Sequence, residues 1–147
     1  MAASKTAIVA AMIVAGAAGF WYLERAAKQP PPAPPPLTGE AKSYVSNLKL
    51  SDVDMSAHED YFQHPIVEIT GKIQNAGTRS LRIVEINCVF YDPYGQVVLR
   101  QRVPIVSVKA GGLSPGHTKP FRLPFDNLPE SWNNIMPQMV IARIDFQ

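Results

Sequence analysis

Two runs of strand-forming residues flank one tight turn, and no other stretch constrains the fold as strongly. Leu81-Arg-Ile-Val-Glu-Ile-Asn-Cys-Val-Phe-Tyr91 leads into Asp92-Pro93-Tyr94-Gly95, and Gln96-Val-Val-Leu-Arg-Gln-Arg-Val103 leads away. Asp first, Pro second and Gly fourth suit a type I turn: Asp bonds its own backbone, Pro presets φ and Gly relieves the exit. With Tyr91 facing Gln96, Phe90 faces Val97, Cys88 faces Leu99 and Val84 faces Val103. Because side chains alternate along a strand, these share one apolar face. The other face sets Asn87 against Arg100 and Glu85 against Arg102, an expected exposed ion pair worth ~0–1 kcal/mol. A one-residue slip would put Arg100 against Cys88, so the pattern favours the first register.

The 147 residues allow about one domain and an appendage. The net charge of +2 has no nucleic-acid footprint. Cys88 is the one cysteine, so no intrachain disulfide forms. Its place on an apolar strand face reads as a buried, inert thiol. Without a disulfide, core burial must hold the domain together even outside the cytoplasm.

Ala7 to Leu23, AIVAAMIVAGAAGFWYL, carries no charge and is about long enough to span a bilayer. Lys5 precedes it, Glu24, Arg25 and Lys28 follow, and Trp21 and Tyr22 suit the headgroup zone at its distal end. We read a single transmembrane anchor. A cleaved signal peptide is the rival, but the aromatic pair and the following basic residues resemble a membrane exit. The short N-terminal tail favours an N-inside orientation. The chain is therefore expected in the inner (cytoplasmic) membrane, single-pass, with its domain facing the periplasm or cell exterior. Ala7, Ala11, Ala15 and Gly19 recur every four residues, a stripe that allows close helix approach in lipid or reflects common small residues. Gln29 to Leu37, QPPPAPPPL, favours a polyproline II rod of roughly 25–30 Å. A PxxP ligand is the alternative, but a stalk needs no partner to explain it.

From Lys42 onward the pattern is all-β. Val45 to Leu50 reads as a first strand, and Ser51 to His64 as a polar, acidic loop without clear period. Ile66 to Gln74 alternates Val67, Ile69, Gly71 and Ile73 inward. Beyond the hairpin, Pro104 predicts a bend or an edge. Phe121, Leu123 and Phe125 alternate around Pro124, and Asp126 to Asn134 could form one helical turn capped by Asp126 or Asn127, with Trp132 plugging the core. Gln138 to Phe146 presents Val140, Ala142, Ile144 and Phe146 on one face. About seven short strands predict a β-sandwich. The expected organisation is an anchor over 1–28, a Pro-rich linker over 29–41 and a sandwich over 42–147.

The stretch Ile66 to Tyr94, IVEITGKIQNAGTRSLRIVEINCVFYDPY, with Gly95 and its valines, resembles the bacterial FxLYD-type domains. The pattern is G-x-I-x-N-x-G, then F-Y-D-x-x-G-x-V-V, and LSPGHTKPFRLPFD extends it. The likeness covers roughly Lys49 to Phe146. Tyr91 and Asp92 match the name motif, whereas Cys88 stands where its Phe would be and Phe90 where its Leu would be. The resemblance implies a membrane-anchored immunoglobulin- or fibronectin-like sandwich and supplies no catalytic residues.

A search for chemistry finds little. His58, Glu59, Asp60 and His64 are metal-capable but match no zinc spacing. Asp52, Asp54, Glu59 and Asp60 could gather around Ca²⁺, although the EF-hand spacing and its Gly are absent. Ser114 and His117 share a turn without a placed carboxylate. The Gly-rich Ala110–Gly116 segment lacks the Lys-Ser/Thr of a phosphate loop. Arg79, Arg82, Arg100 and Arg102 read as a mixed solvated face. Tyr61 and Phe62 either tuck into the core or, with Trp132, form a contact patch. The expectation is a non-enzymatic accessory or interaction module, without cofactor, metal or small-molecule substrate, whose partners are membrane lipid and a protein. The alternative is a ligand- or Ca²⁺-binding envelope domain using the 51–64 loop, with Asp126–Asn134 completing its rim.

Overall fold

The computed structural model describes residues 15–25 and 34–147. Contacts divide the chain into two units, Met1–Pro35 and Pro36–Gln147. In the first, residues 15–25 form an exposed helix, α1, carrying Ala15, Gly19, Trp21 and Tyr22. The Arg25 guanidinium lies 4.4 Å from the Trp21 ring centroid. Ala7 and Ala11, with most of the expected Pro-rich rod, lie outside the described residues. Among the described residues no helix is long and apolar enough to cross a membrane.

The second unit is a β-sandwich of two three-stranded sheets. It begins with α2 (Gly39–Tyr44), capped by Thr38, whose Oγ1 accepts the Ala41 N–H at 3.2 Å. A 3-10 turn, Val45–Asn47, follows, so the first strand starts at Leu48 rather than Val45. The strands are β1 (Leu48–Glu59), β2 (Pro65–Asn75), β3 (Leu81–Tyr91), β4 (Val97–Val106), β5 (Thr118–Phe125) and β6 (Gln138–Phe146). One sheet is ordered β1-β2-β5 and the other β4-β3-β6. Six strands stand where about seven were expected, because Ile105 and Val106 continue β4 past Pro104.

Bulges account for most departures from the sequence reading. The polar stretch Ser51–Glu59 is strand, not loop. A register shift between Ser51 and Asp54, with Asp52 at φ 50°, changes which parity faces inward. Leu48 and Leu50 face the core before it, Met55 and Ala57 after it, so no single period spans the strand. In β6 a shift beside Ala142 does the same. Met139 and Ile141 pack on the core before it, Ile144 and Phe146 after it, and Val140 is left exposed.

The β3–β4 hairpin forms, but two residues away from the expected register. The Asp92 N–H donates to the Gln96 carbonyl, Gly95 sits at φ 78°, and a second shift follows between Phe90 and Tyr91. Together these bring Phe90 opposite Leu99 and Ile86 opposite Val103. An even shift preserves the faces, so Val84, Ile86, Cys88 and Phe90 all remain buried. Arg102 now stands opposite Asn87 and reaches Glu85 diagonally, Nε to Oε2 at 2.7 Å. Arg143 joins at 3.5 Å, and the group is largely covered rather than exposed. β4 lies at an edge, as Pro104 predicts; β5 does too, which accommodates Pro120 and Pro124.

In β2, Val67, Ile69, Gly71 and Ile73 all face inward. A Cβ at Gly71 would lie 2.6 Å from the Phe121 ring directly opposite, so that ring occupies the space a side chain would need. Asn75 closes the strand, fully buried. Its Oδ1 accepts from Tyr44 Oη at 2.7 Å and from the Gly77 N–H at 3.1 Å. Its Nδ2 donates to the Arg79 carbonyl at 2.7 Å and the Leu113 carbonyl at 3.2 Å. Every bonding position of the amide is used. One side chain thus joins α2, the β2–β3 turn and the β4–β5 connection. Alanine at Asn75 strands several buried partners and should cost about 3 kcal/mol, whereas Tyr44→Phe should cost about 1 kcal/mol. Urea denaturation of both variants checks the ranking; equal small losses would contradict the node's role.

Candidate functional site

Chain geometry places three connections at one end of the sandwich. β2 starts at the 60–64 turn, and Val67 pairs with Phe125, where β5 ends. Across the sandwich Phe90 packs on Phe125 at 5.1 Å and on Trp132 at 5.7 Å, each edge to face. The Asn133 N–H donates to the Tyr91 carbonyl at 2.9 Å. The 60–64 turn, the 92–96 turn and the β5–β6 connection therefore cluster. α2 and Asn75 lie at the opposite end of β2, roughly 30 Å away at the usual strand rise.

The two turns share one construction. Asp60 Oδ1 accepts the amides of Phe62 and His64, both at 2.8 Å. Asp92 Oδ1 accepts those of Tyr94 and Gln96 at 2.9 and 2.8 Å. Each turn closes with the Asp N–H on the carbonyl four residues later. Each has a left-handed fourth residue, Gln63 at φ 64° and Gly95 at φ 78°. This is a type I turn with a bulge residue. The His64 amide beside it is the main reason the Asp60 carboxyl is held below its usual range, and His64 Nδ1 lies 3.2 Å from its Oδ2.

Rigid turns of this kind hold apolar side chains out in water. Tyr61 is 95 % exposed, Phe62 74 % and Tyr94 89 %. Tyr61 and Phe62 therefore do not tuck into the core; they stack edge to face at 5.5 Å. Trp132 is corrected in the other sense. It is buried, its Nε1 donates to the Ile135 carbonyl at 3.2 Å, and it plugs the core instead of standing out in water with Tyr61 and Phe62. Its segment is not helical: the Trp132 N–H closes a turn on the Pro129 carbonyl at 3.0 Å. Sequence reasoning missed Tyr94, although the spacing of Asp60-Tyr-Phe-Gln-His64 and Asp92-Pro-Tyr-Gly-Gln96 aligns Phe62 with Tyr94.

Beside these turns lies an open apolar cleft of about 460 Å³. Val67, Phe125 and Trp132 are its buried lining; Leu128 and Met55 are half-buried and Ala57 is exposed. The 51–64 stretch and Asp126–Asn134 do meet around it, with the former as a strand edge. Its charged lining residues are the carboxylates Asp126 and Glu130.

The other candidates separate. Asp52 is paired with Lys72 at 3.0 Å and Asp60 with its own turn. Among the described residues, no three His, Cys, Asp or Glu side chains gather as a metal site. Ser114 and His117 form an exposed turn, the His117 N–H donating to the Ser114 carbonyl at 3.1 Å. Cys88 is fully buried, and desolvation pushes its thiol up to about 11 from 9.0.

No family model and no curated protein matches the chain. Among solved structures it is similar to the crystal structure of a protein assigned as ApaA from Bordetella pertussis. The identity is 18 %, the match covers 67 % of this chain and 90 % of that one, and the TM-score is 0.39.

The Cys88 thiol gives a pH signature. The unfolded chain ionises first, so between about pH 9 and 11 the folded state holds a proton that the unfolded state has released. Stability then falls as pH rises through that window, by about 2 kcal/mol from this group. Denaturation midpoints of wild type and Cys88→Ala should converge as pH rises from 9 to 11. A constant difference would contradict the assignment.

Proposed function

We propose that this chain is a membrane-anchored, non-catalytic interaction module that docks a protein partner with the end of its sandwich remote from α2. The observation that carries the reading is the exposure of Tyr61, Phe62 and Tyr94 on two rigid turns beside an apolar cleft. Large aromatic side chains held in water on ordered turns cost little further entropy on docking, which suits them as contact residues. The uncharged Ala7–Leu23 run supports the anchor, and the prolines that follow support a stalk. The domain then faces the periplasm or cell exterior.

The sandwich is of the immunoglobulin or fibronectin kind on this reading. The orders β1-β2-β5 and β4-β3-β6 correspond to strands A-B-E and C′-C-F of those folds, with three crossings between the sheets. Kinship with FxLYD-type domains fits the same residues. Gly71, Ile73, Asn75 and Gly77 of the shared pattern have structural duties, and Gly77 lies against Tyr44. A second reading, a ligand-binding domain, is favoured by the cleft alone.

A photoreactive benzoylphenylalanine at position 62 or 94 should give a discrete adduct in native membranes, and one at Ser114 should not. Adducts from Ser114 alone, or none from the turns, would overturn the docking reading. The same exposure predicts that Phe62→Ser leaves the thermal midpoint within about 2 °C of wild type. Protease added to spheroplasts should remove the domain while the anchor stays in the membrane; full protection would reverse the orientation.

A further inference from the structure

The docking end contains a strand edge with no backbone partner among the described residues. β1 ends its sheet, and from Asp54 to Glu59 it runs in regular register against Thr70 to Pro65. In an antiparallel edge strand, alternate residues aim N–H and C=O away from the neighbour. Among the described residues, no backbone hydrogen bond outside the β1–β2 ladder involves this segment. The other edges are blunted: β4 by Pro104 and two register shifts, β5 by Pro120 and Pro124, β6 by the shift beside Ala142. The Asp54–Glu59 segment has neither proline nor bulge.

Its inward side chains border the cleft. Met55 and Ala57 form the more open side of a cavity lined farther in by Val67, Phe125 and Trp132. A strand laid along β1 would have every second side chain at the cleft mouth. The charges around it share one sign. Asp126 and Glu130 line the cleft, and Asp54 and Glu59 lie on the edge. None of the four forms an ion pair among the described residues. The cleft lining holds no Lys, Arg or His.

We propose that the Asp54–Glu59 edge of β1 accepts an extended segment of the partner protein as an added strand, with every second side chain entering the cleft, apolar ones against its floor and basic ones meeting Asp126 and Glu130 at its rim. Main-chain pairing supplies affinity in this mode, and pockets for alternate side chains supply specificity. The acidic rim disfavours a second copy, since edge-to-edge pairing would set two such rims side by side. It disfavours an anionic lipid surface for the same reason. This rests on the docking reading and names the partner's chemistry at the same end.

The test uses the full-length chain and a fluorescent octapeptide with two Val and two Lys at alternate, cleft-facing positions, Ser at the positions between them and one diazirine. The expected result is saturable binding, with photo-adducts mapping to Met55–Glu59. N-methylation of alternate peptide amides should weaken binding at least tenfold, because it removes strand pairing and leaves charge unchanged. The exposed double change Asp126→Lys with Glu130→Lys should weaken it severalfold, with unchanged circular dichroism. Equal binding of the N-methylated peptide, adducts on β6, or no binding would overturn the proposal. So would peptide-insensitive dimers of the chain. Turn-specific cross-linking that persists alongside absent peptide binding would leave docking intact and remove the added strand alone.

Discussion

The sandwich depends on a buried amide at one end. Asn75 is wholly out of water, and a buried polar side chain is tolerated only when each of its bonds is made. Tyr44, Gly77, Arg79 and Leu113 make them, so α2, a turn and a crossover connection are held in one arrangement. Tyr44 also meets Phe146 edge to face at 5.2 Å, and the Arg79 guanidinium lies 3.6 Å from that ring's centroid. Arg79 is further paired with Glu40 of α2. The end where the chain enters the domain is consequently saturated with internal contacts.

The remote end is built on another principle. Its turns are rigid because Asp60 and Asp92 bond their own backbones, and that self-sufficiency leaves the carried side chains without internal partners. Tyr61, Phe62 and Tyr94 stay in water for this reason. Trp132 differs because its segment folds back across the sandwich and fills the space beside Phe90. The division of labour between the ends follows from where polar groups are satisfied locally and where they need distant partners.

Much of this architecture could be read from residue order. Alternation over Ile66–Gln74 and Leu81–Tyr91 located the two central strands and their inward faces. The turn chemistry of Asp92–Gly95 located the hairpin, and Pro104 marked an edge. What escaped were the bulges. A bulge inserts one residue and reverses parity, so the pattern over Leu48–Glu59 dissolves into an apparent loop, and that over Gln138–Phe146 gives Val140 the wrong face. The β3–β4 register erred by an even number for a related reason, since two single-residue insertions leave the faces unchanged. The candidate site was half legible: Tyr61, Phe62 and the two segments that form one rim were singled out, but the exposure of the aromatics and the strand character of the first segment were not.

Local chemistry along the chain determined the strand-rich class, the turns, the apolar faces and the uncharged N-terminal run, because each depends on neighbours within a few residues. Tertiary structure alone decided which edge is left open, which aromatics are covered and which carboxylates stand unpaired. Those outcomes depend on residues far apart in sequence, as when Phe125 and Phe90 bring two turns to one end. No local pattern contains that distance.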